Sequence, residues 1–158
     1  MHIATKGEII DISLEVKTAE LAKNFSKIIK KGDIVFFHGE IGVGKTTFIR
    51  YLRNFIQIKN NLNSTEVTSP TCNLVNEYYV GIFIIQHYDL YRLTSSDEIK
   101  NIGLLENQKE TLTLIEWPEK IDSTIDDKID LFFKYGEDMN KRFLFIKGLN
   151  NEKLNEIS

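Results

Sequence analysis

The sequence predicts an α/β fold in which a mixed central β-sheet carries helices on both faces. Apolar stretches with the periodicity of strands alternate along the chain with amphipathic helical stretches. A glycine-rich loop joins one such strand to one such helix within residues 33–56. Two pairs of strands are separated by short turns and should pair antiparallel, which makes the sheet mixed. The 158 residues suffice for one core, and we expect a single domain over residues 1–158.

The N-terminal part of the chain predicts two strands and two helices. Residues Glu8–Val16 alternate between apolar and polar side chains, as in a half-buried strand. Thr18 is predicted to cap a helix that runs to about Lys30. The apolar run Asp33–His38 predicts a buried strand, and Lys45–Ile56 has the apolar spacing of an amphipathic helix.

The second half of the chain predicts a long loop, one helix and two strand pairs. Residues 59–70 are polar and rich in turn formers, which is typical of a functional or mobile loop. The elements that follow are, in order, antiparallel strands Asn73–Val80 and Ile82–Leu90, a capped helix Ser95–Glu106 that ends near Gly103, a buried strand Thr111–Trp117, and a hairpin of Asp127–Tyr135 with Arg142–Leu149.

The loop between the second predicted strand and its helix has the spacing G-x-x-x-x-G-K-T, which is that of a phosphate-binding loop. Its glycines allow the backbone N–H groups to turn inward around anionic oxygens, beside the positive end of the helix. Lys45 should reach the β- and γ-phosphates and Thr46 should bind Mg²⁺. We expect Lys45 to be exposed in the empty site. The fold is therefore a P-loop NTPase-like domain, with nucleotide-binding residues Gly39, Glu40, Ile41, Gly42, Val43, Gly44, Lys45, Thr46 and Thr47.

Two buried strands end in acids, at Asp89 and Glu116. Parallel strands beside the loop strand would bring both acids to the carboxyl edge of the sheet, where ligands bind in such folds. One acid is expected to hold Mg²⁺ and the other to orient the attacking water. We assign the metal to Glu116, together with Thr46, because its strand is more uniformly apolar. Asp89 is assigned to the water. His87 lies two residues before it on the same strand face, so we expect it to hydrogen-bond Asp89 or to contact a partner, with a structural histidine as the alternative.

Several classes of protein share such a loop. A kinase for a small metabolite usually closes an arginine-bearing lid, and the four arginines, Arg50, Arg53, Arg92 and Arg142, form no cluster. A GTP-binding switch needs a guanine-reading element such as N-K-x-D, and no such tetrapeptide occurs. A binding module without turnover would not need two acids at the strand ends. The catalytic candidates are therefore Lys45, Asp89 and Glu116, with a kinase as the alternative to an ATPase.

Composition restricts the setting in which the protein works. The net charge of −3 gives no overall attraction to nucleic acid or to an anionic membrane. The single cysteine, Cys72, excludes an internal disulfide and favours a reducing compartment. Neither a signal peptide nor an apolar run of membrane-spanning length is apparent in the sequence. We expect a cytoplasmic protein with no membrane partner.

Five motifs, taken together, resemble one family. The stretches "GEIGVGKTTF", "VTSPT", "HYDLYRL", "DEIKNIG" and "IEWPE" occur in the order and approximate spacing of the TsaE family, also known as YjeE. The resemblance covers residues from about Thr18 to Glu119. It implies an ATPase in the synthesis of tRNA threonylcarbamoyladenosine, with ATP and Mg²⁺ as its ligands. It also implies that the nucleotide cycle resets a complex of the partner proteins TsaD and TsaB, and that tRNA is met through that complex. We expect the basal rate of hydrolysis to be low, because no obvious arginine finger is apparent in the sequence and a partner would have to complete the site.

The resemblance also implies roles for residues outside the phosphate loop. Trp117 would border the nucleotide site, although packing in the core is the alternative. Thr68, Ser69 and Thr71 would lie in a switch-like loop near Mg²⁺. The sequence departs from the family at Cys72, where the family usually has Phe. It also has Glu-Ile and Val inside the phosphate loop, where the family usually has Asp-Leu and Ala, and these changes leave the backbone amides in place.

Overall fold

A computed structural model of the protein describes residues 9–60, 66–68, 75–81, 83–94, 98, 103–121 and 125–149. Eight strands in this part of the chain form one sheet, and two α-helices and two short 3₁₀ helices accompany it. The strands are β1 (Ile10–Asp11), β2 (Ile34–His38), β3 (Glu66–Thr68), β4 (Val75–Val80), β5 (Phe83–Asp89), β6 (Thr111–Glu116), β7 (Ile129–Tyr135) and β8 (Arg142–Lys147). The helices are α1 (Glu15–Ser26) and α2 (Lys45–Lys59), with 3₁₀ turns at Gln108–Glu110 and Pro118–Lys120.

The strand order across the sheet is β1-β8-β7-β2-β6-β5-β4-β3. The loop-bearing strand β2 lies between β6 and β7 and is parallel to both, and β5 is parallel to β6. All other pairs are antiparallel. The predicted mixed α/β sheet is confirmed. Because β2, β5 and β6 run in one direction, their carboxyl ends meet at a single edge, with Asp89 directly opposite Glu116.

The helices α1 and α2 pack against each other and against the same face of the sheet. Aromatic rings hold this layer together, since the ring of Phe48 on α2 lies 5.9 Å from those of Phe25 and Phe37 and 5.8 Å from that of Phe133. A second apolar cluster covers the other face, with side chains from the segments that follow β5 and β6. The helix predicted for Ser95–Glu106 falls largely outside the described residues.

The prediction for the N-terminal elements is wrong in two respects. The strand predicted for Glu8–Val16 is limited to Ile10–Asp11, because the Asp11 carboxylate accepts a hydrogen bond from the Ser13 amide at 2.8 Å and turns the chain. The helix then begins at Glu15, so Thr18 is buried inside it and does not cap it. It ends at Ser26, four residues before the predicted end.

The other predicted elements agree with the structure, with two adjustments. The helix after the phosphate loop is confirmed and runs three residues further, to Lys59. The polar segment 59–70 contains an edge strand, β3, that was not predicted, because its polar residues hide a strand signal. The buried strands β2 and β6, the β4–β5 pair and the β7–β8 hairpin are confirmed. No helix in the described segments is long and apolar enough to span a membrane.

Replacing Phe48 by alanine tests the packing of α2 on the sheet. Phe48 is fully buried, and Phe48→Ala should lower the free energy of unfolding by about 3–5 kcal/mol because the neighbouring rings cannot close the cavity. Urea denaturation measures this loss. Ile58→Ala is the control, since Ile58 is 69% exposed on the same helix and should change stability by less than about 0.5 kcal/mol. Equal losses in the two variants would contradict the placement of Phe48 in the core.

Candidate functional site

The phosphate loop connects β2 to α2 at the carboxyl edge of the sheet. Gly39 has φ 147°, and a side chain there would bring its Cβ to 2.7 Å from the carbonyl oxygen of Phe133. Gly44 is the residue before α2 and has φ 117°, a conformation that L side chains rarely adopt. The loop is therefore held in a shape that only glycine permits at these two points, and the free N–H groups of the first turn of α2 lie at its end.

Lys45 is the first residue of α2, and it is folded into the site. The whole residue is only 4% exposed, contrary to our expectation of an exposed lysine. Its Nζ donates a hydrogen bond to the carbonyl oxygen of Gly39 and lies 3.9 Å from the centre of the Trp117 ring. An ammonium over an indole face is a favourable cation–π contact. In the empty protein, the lysine is therefore held by the loop and by the tryptophan.

Burial also sets the charge state of this lysine. Removal from water lowers the pKa of the Lys45 ammonium below its ordinary value, and the carboxylates of Glu116, Glu119 and Asp89 oppose part of that shift. The charged ammonium is thus less favourable here than in water. A phosphate beside it would reverse this effect, because an adjacent negative charge favours the protonated form.

Glu116 ends strand β6 and is the most enclosed acid of the site, with 3% of its surface exposed. Its Oε1 accepts a hydrogen bond from the Thr46 hydroxyl at 3.2 Å, and its Oε2 lies 2.7 Å from Nε2 of His87. His87 on β5 is itself buried. A carboxylate held on both oxygens keeps one orientation, and here that orientation faces the hydroxyl at the start of α2.

Asp89 ends strand β5 and is the exposed acid of the pair. Its Oδ1 accepts a hydrogen bond from the Tyr91 amide at 3.1 Å. The ring of Tyr91 lies 4.9 Å from that of Trp117, which is half-buried and has φ 61°, ψ 51°. The two rings form one wall of the site, and Asp89 lies on the same rim.

Most of the predicted site residues surround one open cavity at this edge. Val43 is an exception, because its side chain is fully buried in the core beneath the loop, so that only its backbone can serve a ligand. Thr68 ends β3, and the predicted switch residues Ser69 and Thr71 fall outside the described residues. The cavity is lined by Ile41, Gly42, Gly44, Lys45, Thr46, Thr47, Asp89, Tyr91, Glu116 and Trp117.

A second cavity shares Trp117 with the first and lies towards the end of β7. The predicted loop residues Gly39 and Glu40 line this second cavity. Its other lining residues are Glu119, Phe133, Lys134 and Tyr135. The two cavities together extend along the phosphate loop, from the acids of β5 and β6 to the C-terminal hairpin.

The C-terminal hairpin reaches the loop, which was not predicted. The Tyr135 hydroxyl at the end of β7 donates a hydrogen bond to the carbonyl oxygen of Ile41 at 3.2 Å. Arg142, the first residue of β8, places its Nη1 3.9 Å from the point where a Cβ on Gly44 would lie. The sequence did predict the hairpin, and its first strand, β7, ends beside the loop because it pairs parallel to β2. The sequence did not reveal that pairing.

The donor set fits a magnesium–nucleotide complex. Among the described residues, no group of three or more His, Cys, Asp or Glu side chains is arranged to hold a metal ion. Mg²⁺ in nucleotide sites commonly has one or two protein ligands, with phosphate oxygens and water completing its shell. The Thr46 hydroxyl and the Glu116 carboxylate are the groups that could provide these contacts, and they are already adjacent.

Replacing Lys45 by methionine separates ligand binding from folding. Methionine keeps the apolar stem and removes a charge that is unfavourable in the empty site, so Lys45→Met should leave the melting temperature unchanged or raise it while abolishing ATP binding. Because the pKa of Lys45 is lowered in the folded state, the parent protein should gain stability relative to Lys45→Met as the pH rises towards 10.5.

The measurements are a thermal melt and an ATP titration followed by the emission of Trp117, the sole tryptophan. Lys59→Met is the control, because Lys59 is exposed at the other end of α2. It should leave the melting temperature and the ATP affinity unchanged. Parent-like ATP affinity in Lys45→Met would refute the assignment of the loop.

Comparisons with known proteins agree with one another. A family described as "Threonylcarbamoyl adenosine biosynthesis protein TsaE" matches residues 12–143. The chain is 37% identical to the tRNA threonylcarbamoyladenosine biosynthesis protein TsaE of Rickettsia conorii, over 91% of this chain and 79% of that protein. It is 38% identical to the protein of that name in Rickettsia typhi, over 88% and 94%.

A more distant relative gives the same result, and a solved structure shows the same fold. The Aquifex aeolicus protein with the same name is 34% identical, over 67% of this chain and 73% of that protein. The crystal structure of Bacillus subtilis YdiB has the same fold, with a TM-score of 0.65, 22% identity, and coverage of 93% of this chain and 90% of that one. The family match and the relatives together establish that the chain belongs to the TsaE family.

Proposed function

We propose that the protein binds ATP with Mg²⁺, hydrolyses it slowly, and through this cycle supports the threonylcarbamoyladenosine modification of tRNA. The observation that carries the proposal is the contact between the Thr46 hydroxyl and the Glu116 carboxylate, 3.2 Å apart at the end of the phosphate loop. A hydroxyl at the start of the helix and an acid at the end of a neighbouring strand are the two protein groups that P-loop NTPases use for Mg²⁺.

The loop and Lys45 are proposed to hold the phosphates. Backbone N–H groups from Gly42 to Thr47 would surround the oxygens, with the positive end of α2 behind them. Lys45 would exchange the Gly39 carbonyl and the Trp117 ring for the β- and γ-phosphates. This exchange is favourable because the buried, poorly solvated ammonium gains a charge-assisted contact with an anion.

Glu116 is proposed to hold the metal through Oε1, alongside Thr46. The His87 contact on Oε2 fixes the carboxylate so that Oε1 faces the phosphates. When bound, Mg²⁺ supplies positive charge against the phosphate oxygens and so stabilises the charge that develops on them. The protein contributes by holding Oε1 of Glu116 in one place before the nucleotide binds.

Asp89 is proposed to orient the attacking water. It lies opposite Glu116 across the parallel pair, on the open side of the site where water can enter. The Tyr91 amide holds its Oδ1, which leaves Oδ2 to accept a hydrogen bond from a water beside the terminal phosphate. A water aligned in this way attacks with less loss of entropy in the transition state.

The base is proposed to lie in the second cavity, away from the two acids. The phosphates extend towards β5 and β6, so the nucleoside would lie towards the end of β7, beside Glu40 and Tyr135. No N-K-x-D element is present in the sequence to select guanine, so we expect adenine to be preferred. An affinity for GTP tenfold above that for ATP would argue for a GTP-binding switch.

A partner is proposed to complete the site. Ile41 and Tyr91 on the rim of the first cavity are 60% and 48% exposed, so both offer apolar surface that a partner could cover. The relatives are named for threonylcarbamoyladenosine biosynthesis. Following the resemblance described above, we propose TsaD and TsaB as the partners whose complex is reset by the nucleotide cycle, and a low basal rate without them.

Substitution of the two acids separates an ATPase from a binding module. Glu116→Gln should weaken Mg²⁺-dependent ATP binding and turnover together, because it removes a metal contact. Asp89→Asn should lower the single-turnover rate about 10²-fold or more with affinity nearly preserved, because it acts in the transition state. Both are measured as Mg²⁺–ATP affinity and single-turnover hydrolysis with TsaD and TsaB present.

The control for the acids is Glu110→Gln, an exposed acid remote from the cavity, which should behave like the parent protein. If both site variants hydrolyse ATP at the parent rate, neither acid is catalytic and the proposed mechanism is wrong. If Asp89→Asn loses Mg²⁺-dependent affinity and Glu116→Gln keeps it, the two roles are reversed.

Removal of the His87 ring nitrogens tests whether this residue positions Glu116. His87→Phe should lower ATP affinity several-fold in the presence of Mg²⁺ and leave the affinity in EDTA unchanged, because only the metal contact depends on Glu116. The matched control is His38→Phe, since His38 makes a contact of the same length, 2.7 Å, with Asp130. Equal loss of affinity with and without Mg²⁺ would indicate a general structural effect and would reject the positioning role.

A further inference from the structure

The guanidinium of Arg142 lies beside the phosphate loop, and its Nε has no acceptor among the residues that the structure describes. Its Nε is buried and makes no hydrogen bond within the described part of the chain, and none of the ion pairs found there includes it. Buried polar groups in folded proteins are nearly always paired, and an unpaired donor on a charged group is especially unfavourable. The Nε of Arg142 can therefore donate to a further partner, and the position of the side chain decides which partner that is.

The position of Arg142 indicates what that acceptor is. Its Nη1 lies 3.9 Å from where a Cβ on Gly44 would be, and Gly44 is the residue from which α2 begins. The start of a helix carries free N–H groups and a partial positive charge, which disfavour a cation. A guanidinium held there is unfavourable unless an anion contacts both the guanidinium and the start of the helix. Gly44 also lines the cavity in which the phosphates are proposed to bind.

The backbone around Arg142 is fixed by neighbouring strands. The Arg142 amide donates to the Ser13 hydroxyl at 3.0 Å, and its carbonyl accepts from the Ile12 amide at 2.9 Å. Across the hairpin it pairs with Tyr135, whose hydroxyl binds the loop carbonyl of Ile41. The hairpin and the loop are therefore linked, and Arg142 is presented from a rigid edge of the sheet, as a preorganised binding group should be.

We propose that Arg142 binds the nucleotide phosphates from the side of the C-terminal hairpin, as a second cationic contact beside Lys45. This inference rests on the proposed function, because it assigns a further residue to the same nucleotide site. Loops of this type surround the α- and β-phosphates with their amides, and Arg142 adjoins that part of the loop. It should therefore serve ADP as strongly as ATP, in contrast to Glu116 and Asp89, which act at the γ-phosphate and Mg²⁺.

Calorimetric titration of ADP and ATP into three variants tests the proposal. Arg142→Met keeps the apolar stem and should weaken both nucleotides about tenfold or more. Arg142→Lys keeps the charge and should recover part of the affinity. Arg53→Met is the matched control, because the Nε of Arg53 is also buried without a hydrogen bond while its guanidinium stacks 4.5 Å from the Tyr78 ring, on the body of α2. It should bind both nucleotides like the parent protein.

The salt dependence of binding distinguishes a phosphate contact from a structural role. Loss of a cation that touches the nucleotide should make the ADP affinity of Arg142→Met fall less steeply with salt than that of the parent protein. Parent-like affinity in Arg142→Met would overturn the inference and leave the proposed function intact. Weaker binding by Arg142→Met with an unchanged salt dependence, and no recovery in Arg142→Lys, would also overturn it. That result would mean that Arg142 only supports the loop structurally. Absence of ADP and ATP binding by the parent protein would reject the proposed function itself.

Discussion

The orientation of Glu116 is the constraint on which the rest of the site depends. A carboxylate that is 3% exposed is unfavourable unless both oxygens are paired, and here Thr46 and His87 provide those pairs from two different elements. The three residues meet only because β6 lies between β2 and β5 and is parallel to both. The strand order therefore determines the position of Glu116. Any register shift between these strands would separate this acid from the loop.

Lys45 shows the opposite arrangement at the same edge. It is enclosed by Trp117 and the loop, yet its contacts are with a ring face and a neutral carbonyl, and burial disfavours its charge. Glu116 is fully paired before any ligand arrives, whereas Lys45 holds interactions that a phosphate can replace with stronger ones. Glu116 thus keeps one orientation, whereas Lys45 can exchange its contacts, and both properties suit the proposed role of the site in binding a metal–nucleotide complex and releasing its product.

The sequence was informative wherever a single stretch carried the signal. The glycine spacing of the loop, the apolar run of β2 and the acids after β5 and β6 were recognised because each depends on residues adjacent in the chain. Thr18 was misplaced because a threonine before an apolar face resembles a cap whether the helix begins there or earlier. The burial of Lys45, the His87–Glu116 contact and the approach of Arg142 arise from packing between distant segments, and a local pattern does not contain them.

The hydrogen bond between Tyr135 and Ile41 spans 94 positions of the chain, and this separation has a consequence for biosynthesis. On the ribosome, the phosphate loop and both acids emerge before β7 and β8 are made. Until β7 emerges, β2 lacks its second parallel neighbour, and one side of the loop has nothing to rest on. A nascent chain that already contains every residue of the first cavity therefore still lacks the completed form of the site proposed for the nucleotide. If that proposal holds, the chain gains the ability to bind nucleotide only when the hairpin has been synthesised.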